Sequence, residues 1–307
     1  MPGDRDVARS RESVRARVPQ GEALAVWALL IADVVAVLVV YSVHDAAELY
    51  GVSGEGIAGG ASRALVQLNF PVALIVIPVV LLALAALPGR AWLVGAPAIA
   101  CCAFVAVPGV VDENDLDARP INAVAAFGVV LALTLTAVAA RRAGAGLAPA
   151  GAGDRWRAAA GAVAVLVSLP WVAAELGLHL PGTIFFLTDE PYAEPGEAAT
   201  AAVHLGHHHG FAGTLFVLSA LVLSRTAPTG TGLRRAYAAL VSLALVYGAV
   251  NLVQDLWHEQ VVKRGWTAWD IPSALVPAPS VMWALMLCSA AVVFVLGFAR
   301  PARAAQR

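Results

Sequence analysis

The sequence predicts an all-α, polytopic integral membrane protein, with about eight transmembrane helices in one bundle and both termini cytoplasmic. Three observations predict it. First, 60% of the 307 residues are hydrophobic and only 13% are charged, about half the charged share of a soluble domain. Second, apolar runs of about 20 residues, enough to cross about 30 Å of hydrocarbon as helix, recur along the whole chain. Third, the basic residues sort onto one side of the membrane if the number of spans is even.

Taken in order, residues 1–21 open with "MPGDRDVARSRESVRARVPQ", a polar, Arg-rich stretch expected to be a disordered cytoplasmic tail. The apolar run after it is too long for a signal-peptide core and has no small-x-small cleavage site, so it reads as a retained first span. The spans fall at about 22–43, 64–87, 91–111, 121–140, 158–176, 203–224, 236–257 and 278–299, which makes 22–299 one membrane domain and 300–307 a second cytoplasmic tail. Turn-rich stretches separate them: "LPGR" at 87–90, "DENDLDARP" at 112–120 and "RRAGAGLAPAGAGDRWR" at 141–157. Pro71, Pro78 and Pro97 lie inside spans, where neighbouring helices can satisfy the freed carbonyls. The sixth span is expected to begin before residue 204, because "PGEAATAAV" offers Pro195 for a first turn and alanines after it. Cys101, Cys102 and Cys288 all fall in apolar runs and read as buried small side chains.

With the N-terminus in the cytoplasm, only Arg63, Arg119, Lys263 and Arg264 of the 20 basic residues fall outside. The other sixteen lie inside, as the positive-inside rule requires. The same division puts all seven histidines on the extracytoplasmic side. A helical rotation of about 100° per residue then groups polar residues into stripes. Span 1 carries Asp33, Tyr41, His44 and Glu48, and span 5 carries Ser168, Glu175 and His179. Span 6 carries His204, His207 and His208, with His209 turned away toward lipid or solvent. Span 7 carries Tyr247, Asn251, Gln254, Asp255 and His258. Polar and ionisable groups in a membrane face the bundle interior, where they find partners. Four stripes ending in histidine therefore point to one pocket near the outer leaflet.

Imidazole with carboxylate is metal-ligand chemistry. Asp255-Leu-Trp-His258 has a D-x-x-H spacing, close to the E-x-x-H pairs of di-metal bundles. The candidate metal ligands are His204, His207, His208 and His258, with His44 and His179. Glu175, Asp255 and Glu259 are the candidate acid/base or outer-shell carboxylates. This donor set favours a divalent metal, zinc or non-haem iron ahead of copper. Met282 and Met286, one turn apart, keep copper in view, and haem stays open through paired axial histidines. His204-x-x-His207-His208 resembles the H-x-x-H-H box of membrane fatty-acid desaturases and hydroxylases. The resemblance covers five residues; those enzymes carry several such boxes on the cytoplasmic side, whereas the single box here is expected outside.

No P-loop, dinucleotide fingerprint, nucleophile elbow or nucleic-acid patch is present, so the partners expected are membrane lipids and not nucleic acid. The cytoplasmic arginines suit anionic headgroups. Loop 177–203 contains "IFFL" flanked by acids and is a candidate lid. Trp257, Trp266 and Trp269 suit an interfacial belt. The reading these features favour is a multi-pass cell-membrane metalloenzyme, a hydrolase or an oxidoreductase, acting on a lipid-like or membrane-soluble substrate. A carrier or assembly factor for metal, haem or protons, or a non-catalytic scaffold, is the alternative.

Overall fold

The computed structural model describes residues 18–44, 53–111, 115–175, 191–192, 200–201 and 209–298, and the structural statements below concern those residues. Helix α1 (Gly21–Val43) is apolar except on one face, where Asp33 and Tyr41 are buried. The chain then runs back as one apolar stretch of 31 residues, Gly56–Ala86. It consists of α2 (Gly56–Gln67), a wider π-type segment (Leu68–Ala73) and α3 (Leu74–Ala86). The break has a cause in the sequence. Pro71 offers no N–H and its ring displaces a carbonyl one turn earlier. Phe70, just before it, adopts extended angles (φ −136°, ψ 120°), the bias of any residue preceding proline. Asn69 covers part of the opened backbone, donating to the Leu65 and Asn122 carbonyls at 2.9 and 3.2 Å.

Seven further helices follow: α4 (Trp92–Ala103), α5 (Asn122–Ala143), α6 (Asp154–Val167), α7 (Leu169–Glu175), α8 (His209–Leu223), α9 (Thr231–Trp257) and α10 (Val281–Gly297). Single 3-10 turns flank α4, and a π-type turn (His258–Val262) extends α9. Two-residue strands β1 (Pro191–Tyr192) and β2 (Thr200–Ala201) pair antiparallel.

Helix therefore occurs in each of the eight regions where a span is expected, but five stretches are long and apolar enough to cross a membrane. These are Gly21–Val43, Gly56–Ala86, Gly89–Ala106, Asn122–Ala143 and Thr231–Val262. Helices α8 and α10 are apolar but have 15 and 17 residues, or about 22 and 25 Å of rise. The expected fifth span is two helices, α6 and α7, with Ser168 between them at φ −88°, ψ 1°. Pro170 explains the break in the same terms as Pro71. Residues 202–208, where the sixth span is expected to start, lie outside the described residues. Thr200 and Ala201 are extended and paired with Pro191 and Tyr192, so the alanine run there is not continuous helix.

Helix α8 sits centrally, packing on α1, α3, α6, α7 and α9. Its approach to α9 is glycine on glycine. A Cβ at Gly213 would lie 2.6 Å from the Gly248 carbonyl oxygen, and one at Gly248 would lie 2.5 Å from the Gly213 oxygen. Helix α3 is buried all round from Ile75 to Leu84, as expected of a helix in the middle of a bundle. By contrast, α5, α6 and α10 expose Phe127, Val130, Val163, Leu166, Leu285 and Val292. So much exposed apolar surface suits lipid rather than water. Exposed tryptophans ring both ends, Trp92 and Trp156 at one and Trp266 and Trp269 at the other, the positions such side chains favour at membrane interfaces.

The end where α1 begins is clasped by charge. Gly21 N–H donates to the Gly146 carbonyl at 3.1 Å. The buried Glu22 accepts from the Ala148 N–H at 2.8 Å and faces Arg225 at 3.5 Å. Arg225 also reaches Asp154 at 3.3 Å, and Arg157 joins Asp154 at 3.1 Å to Ser224 at 2.8 Å. The Gly151 N–H, followed by Arg225 and Arg157, holds the Asp154 carboxyl below the usual carboxylate range. Phe294 and Phe298 line a groove with Ala227–Arg235, so α10 ends where α1 begins.

Candidate functional site at the histidine end

The opposite end is organised around the start of α8. Its first turn has N–H groups with no helical partner, and α9 supplies one. Asp255 Oδ2 accepts from the Gly210 N–H at 2.7 Å. Gly210 is required there, because a Cβ would lie 2.6 Å from the Trp171 ring of α7 and 2.9 Å from Asp255 Oδ2. Three elements expected to converge, α7, α8 and α9, therefore meet within one side chain's width, and α1 packs against α8 as well.

Beyond Asp255 the α9 backbone loosens into the π-type turn, which buries Glu259 and Gln260. Gly265 then takes φ +73°, a conformation glycine reaches without steric cost, and the chain reverses. Its N–H and that of Trp266 close on the Val262 and Val261 carbonyls at 2.8 and 3.1 Å. The reversal lays the 266–270 segment along the end of α9. Trp257 Nε1 donates to the Trp269 carbonyl at 3.0 Å, and the two rings meet edge to face at 5.4 Å. Asp270 Oδ2 arrives 2.6 Å from His258 Nδ1.

The candidate residues now separate by what they touch. His258 is held by Asp270, not by Asp255 as the D-x-x-H spacing suggests. Asp255 and His258 are three residues apart on α9, but the carboxylate is drawn to the α8 terminus, where the helix dipole adds to the hydrogen bond. Glu259 is almost wholly buried and paired with Lys263 at 2.8 Å. His44 ends α1, half-buried, its N–H bonded to the Val40 carbonyl at 3.1 Å. Glu175 closes α7, with its side chain outside the described residues. His179, His204, His207 and His208 also lie outside them, as do most of the candidate lid and most of the candidate ligand set. His209 is the first residue of α8, and its Nδ1 is buried. That buried Nδ1 departs from the outward position expected for His209, and residues 204–208, from which the rotation is counted, lie outside the described residues.

Among the described residues, no group of three or more His, Cys, Asp or Glu side chains stands close enough to hold a metal ion. Met286 is buried in the core and Met282 packs against it, which accounts for that pair as packing. Asp270, Trp171 and Gly210 are the site residues that helical spacing could not reveal. Asp270 is brought to His258 by the Gly265 turn, and the Trp171–Gly210 contact joins two helices far apart in sequence. No family model, no curated protein and no solved structure matches this chain.

Proposed function

We propose that the protein is a multi-pass cell-membrane protein with its arginine-rich end in the cytoplasm and its histidine end outside. In this reading the histidine end holds a divalent metal, and the protein is a metal-dependent membrane enzyme acting on a lipid-like or membrane-soluble substrate. The sidedness rests on the charge division: among the described residues the end where α1 begins has Arg90, Arg141, Arg142, Arg155, Arg157, Arg225, Arg234 and Arg235, and the other end has Arg63, Arg119, Lys263 and Arg264.

The single observation that carries the metal reading is the His258–Asp270 pair. Donation from Nδ1–H to the carboxylate places the ring's lone pair on Nε2 and fixes its direction, as second-shell carboxylates do for ligating histidines. His204, His207 and His208 precede α8 directly in the chain, and α8 lies against α9, so these residues are the partners proposed for His258, with His44 or His179. Zinc or iron suits imidazole and carboxylate donors, and would supply Lewis acidity or an activated water there. Asp255 and Glu259 would then act by holding α8 and the end of α9 in place, which leaves Glu175 as the carboxylate proposed for proton transfer.

The test is elemental analysis of the detergent-purified full chain after loading with zinc or iron and washing. The wild type should retain metal in proportion to protein, and His258→Ala should lose it. Asp270→Asn should bind about 10–100-fold more weakly, the usual cost of losing an orienting carboxylate. A wild type that retains no metal, or a His258→Ala variant that retains as much, would overturn the reading.

A further inference from the structure

A pocket of about 140 Å³ lies among Phe70, Phe216, Tyr247, Leu275 and Trp283. The rings form a continuous wall, with centroids 5.8 Å apart for Phe70–Phe216, 5.0 Å for Phe216–Tyr247 and 6.1 Å for Tyr247–Trp283. Both polar tips in that wall are occupied elsewhere: Tyr247 OH donates to the Leu275 carbonyl and Trp283 Nε1 to the Val276 carbonyl, each at 2.8 Å. No charged side chain lines the space. What remains facing it is hydrocarbon and ring face, so a ligand group with a charge or an unmet hydrogen bond would lose its hydration without compensation. The volume matches a cavity of about 150 Å³ that admits one benzene-sized molecule, which is a segment of a chain and not a whole lipid.

Position selects which chain. Tyr247 and Phe70 lie at the middle of their apolar stretches, Thr231–Val262 and Gly56–Ala86. The rim residues Leu240, Leu243 and Ala244 are half-buried, so the pocket opens on the flank of the bundle. Tyr247 and His258 share a face of α9, eleven residues apart, which is about 16 Å of rise. That is about half of a 30 Å hydrocarbon core, the depth to which a chain reaches from a head group at the surface.

We infer that this pocket receives the far end of the hydrocarbon tail of an outer-leaflet lipid-like substrate whose head group lies at His258. The choice of that lipid rests on the proposed function, whereas the pocket's preference for hydrocarbon does not.

The test is photolabelling of the full chain in nanodiscs with phosphatidylcholine carrying a diazirine at the end of one acyl chain. Adducts should concentrate on Leu240, Leu243, Ala244 or Trp283, and should be lost in Ala244→Trp, which fills the space. Leu243→Phe provides a second filling variant should the first not fold. A lipid with the diazirine beside the head group should not label these residues. Adducts spread over the exposed faces of α5, α6 and α10, unchanged by filling the pocket, would mean annular lipid only and would overturn the inference. Metal retention measured on the same sample separates the two claims. Pocket-specific labelling without metal leaves the tail site standing and removes the metal, while metal without pocket labelling does the reverse.

Discussion

Asp255 and Asp270 are both carboxylates within reach of the same helix end, and their partners give them different work. Asp255 accepts the Gly210 N–H at 2.7 Å in a buried setting, a charge-assisted bond at the positive end of α8. Such bonds contribute about 1.5–3 kcal/mol, and removing the acceptor leaves a buried N–H unsatisfied. Asp255→Ala should therefore lower thermal stability clearly in detergent, and Asp255→Asn, which keeps an acceptor, should lower it less. Equal unfolding temperatures for Asp255→Ala and wild type would contradict this role. Asp270 is partly exposed and holds one ring, so Asp270→Asn should leave unfolding nearly unchanged while weakening metal retention. The D-x-x-H spacing was visible in the sequence, but the true partner of His258 was not. Twelve residues separate His258 from Asp270, and only the positive φ at Gly265 joins them.

At the scale of elements, apolar runs located the helices well because a membrane requires each span to be long and uniformly apolar. The breaks were harder to see. Pro71 and Pro170 were in plain view, but proline inside an apolar run can bend a helix or end it, and packing decides which. The alanine run ahead of α8 behaves similarly: alanine propensity is weak and yields at Thr200 and Ala201 to pairing with another strand. The α8–α9 contact offers a sharp test. Gly213→Ala would ordinarily strengthen a helix by about 0.5–1 kcal/mol. Here the new methyl would meet the Gly248 carbonyl at 2.6 Å and the Leu252 N–H nitrogen at 2.9 Å, backbone atoms that cannot rotate away. Overpacking of this kind costs about 1–3 kcal/mol, so the variant should unfold at lower temperature. Gly232→Ala in the first turn of α9, where nothing lies within 4 Å, should show the gain without the clash.

Across the whole molecule the two ends behave differently. At the arginine-rich end the ordinary carboxyl value of Asp154, 3.8, is lowered in the folded chain. A lowered value means that its contribution is fully present above about pH 3.8 and is lost only as pH falls through the still lower folded value. Hydrogen exchange of the 144–153 segment should therefore stay slow through mildly acidic pH and rise only in stronger acid; a rise near neutral pH would place the clasp elsewhere. On the proposed reading, protons compete with metal for imidazole, so metal retention at the histidine end should fall on acidification while the clasp still holds.

The proposed function rests on these two ends facing opposite sides of a bilayer, and thiol labelling in intact cells tests that most directly. In a Cys288→Ser chain, a cysteine replacing the exposed Ala268 stands at the histidine end, and one replacing Gly146, whose Cβ direction is open, stands at the arginine-rich end. An impermeant maleimide should modify the first and leave the second untouched until the membrane is broken. Modification of Gly146→Cys but not Ala268→Cys in intact cells would invert the protein in the membrane and put the histidines in the cytoplasm.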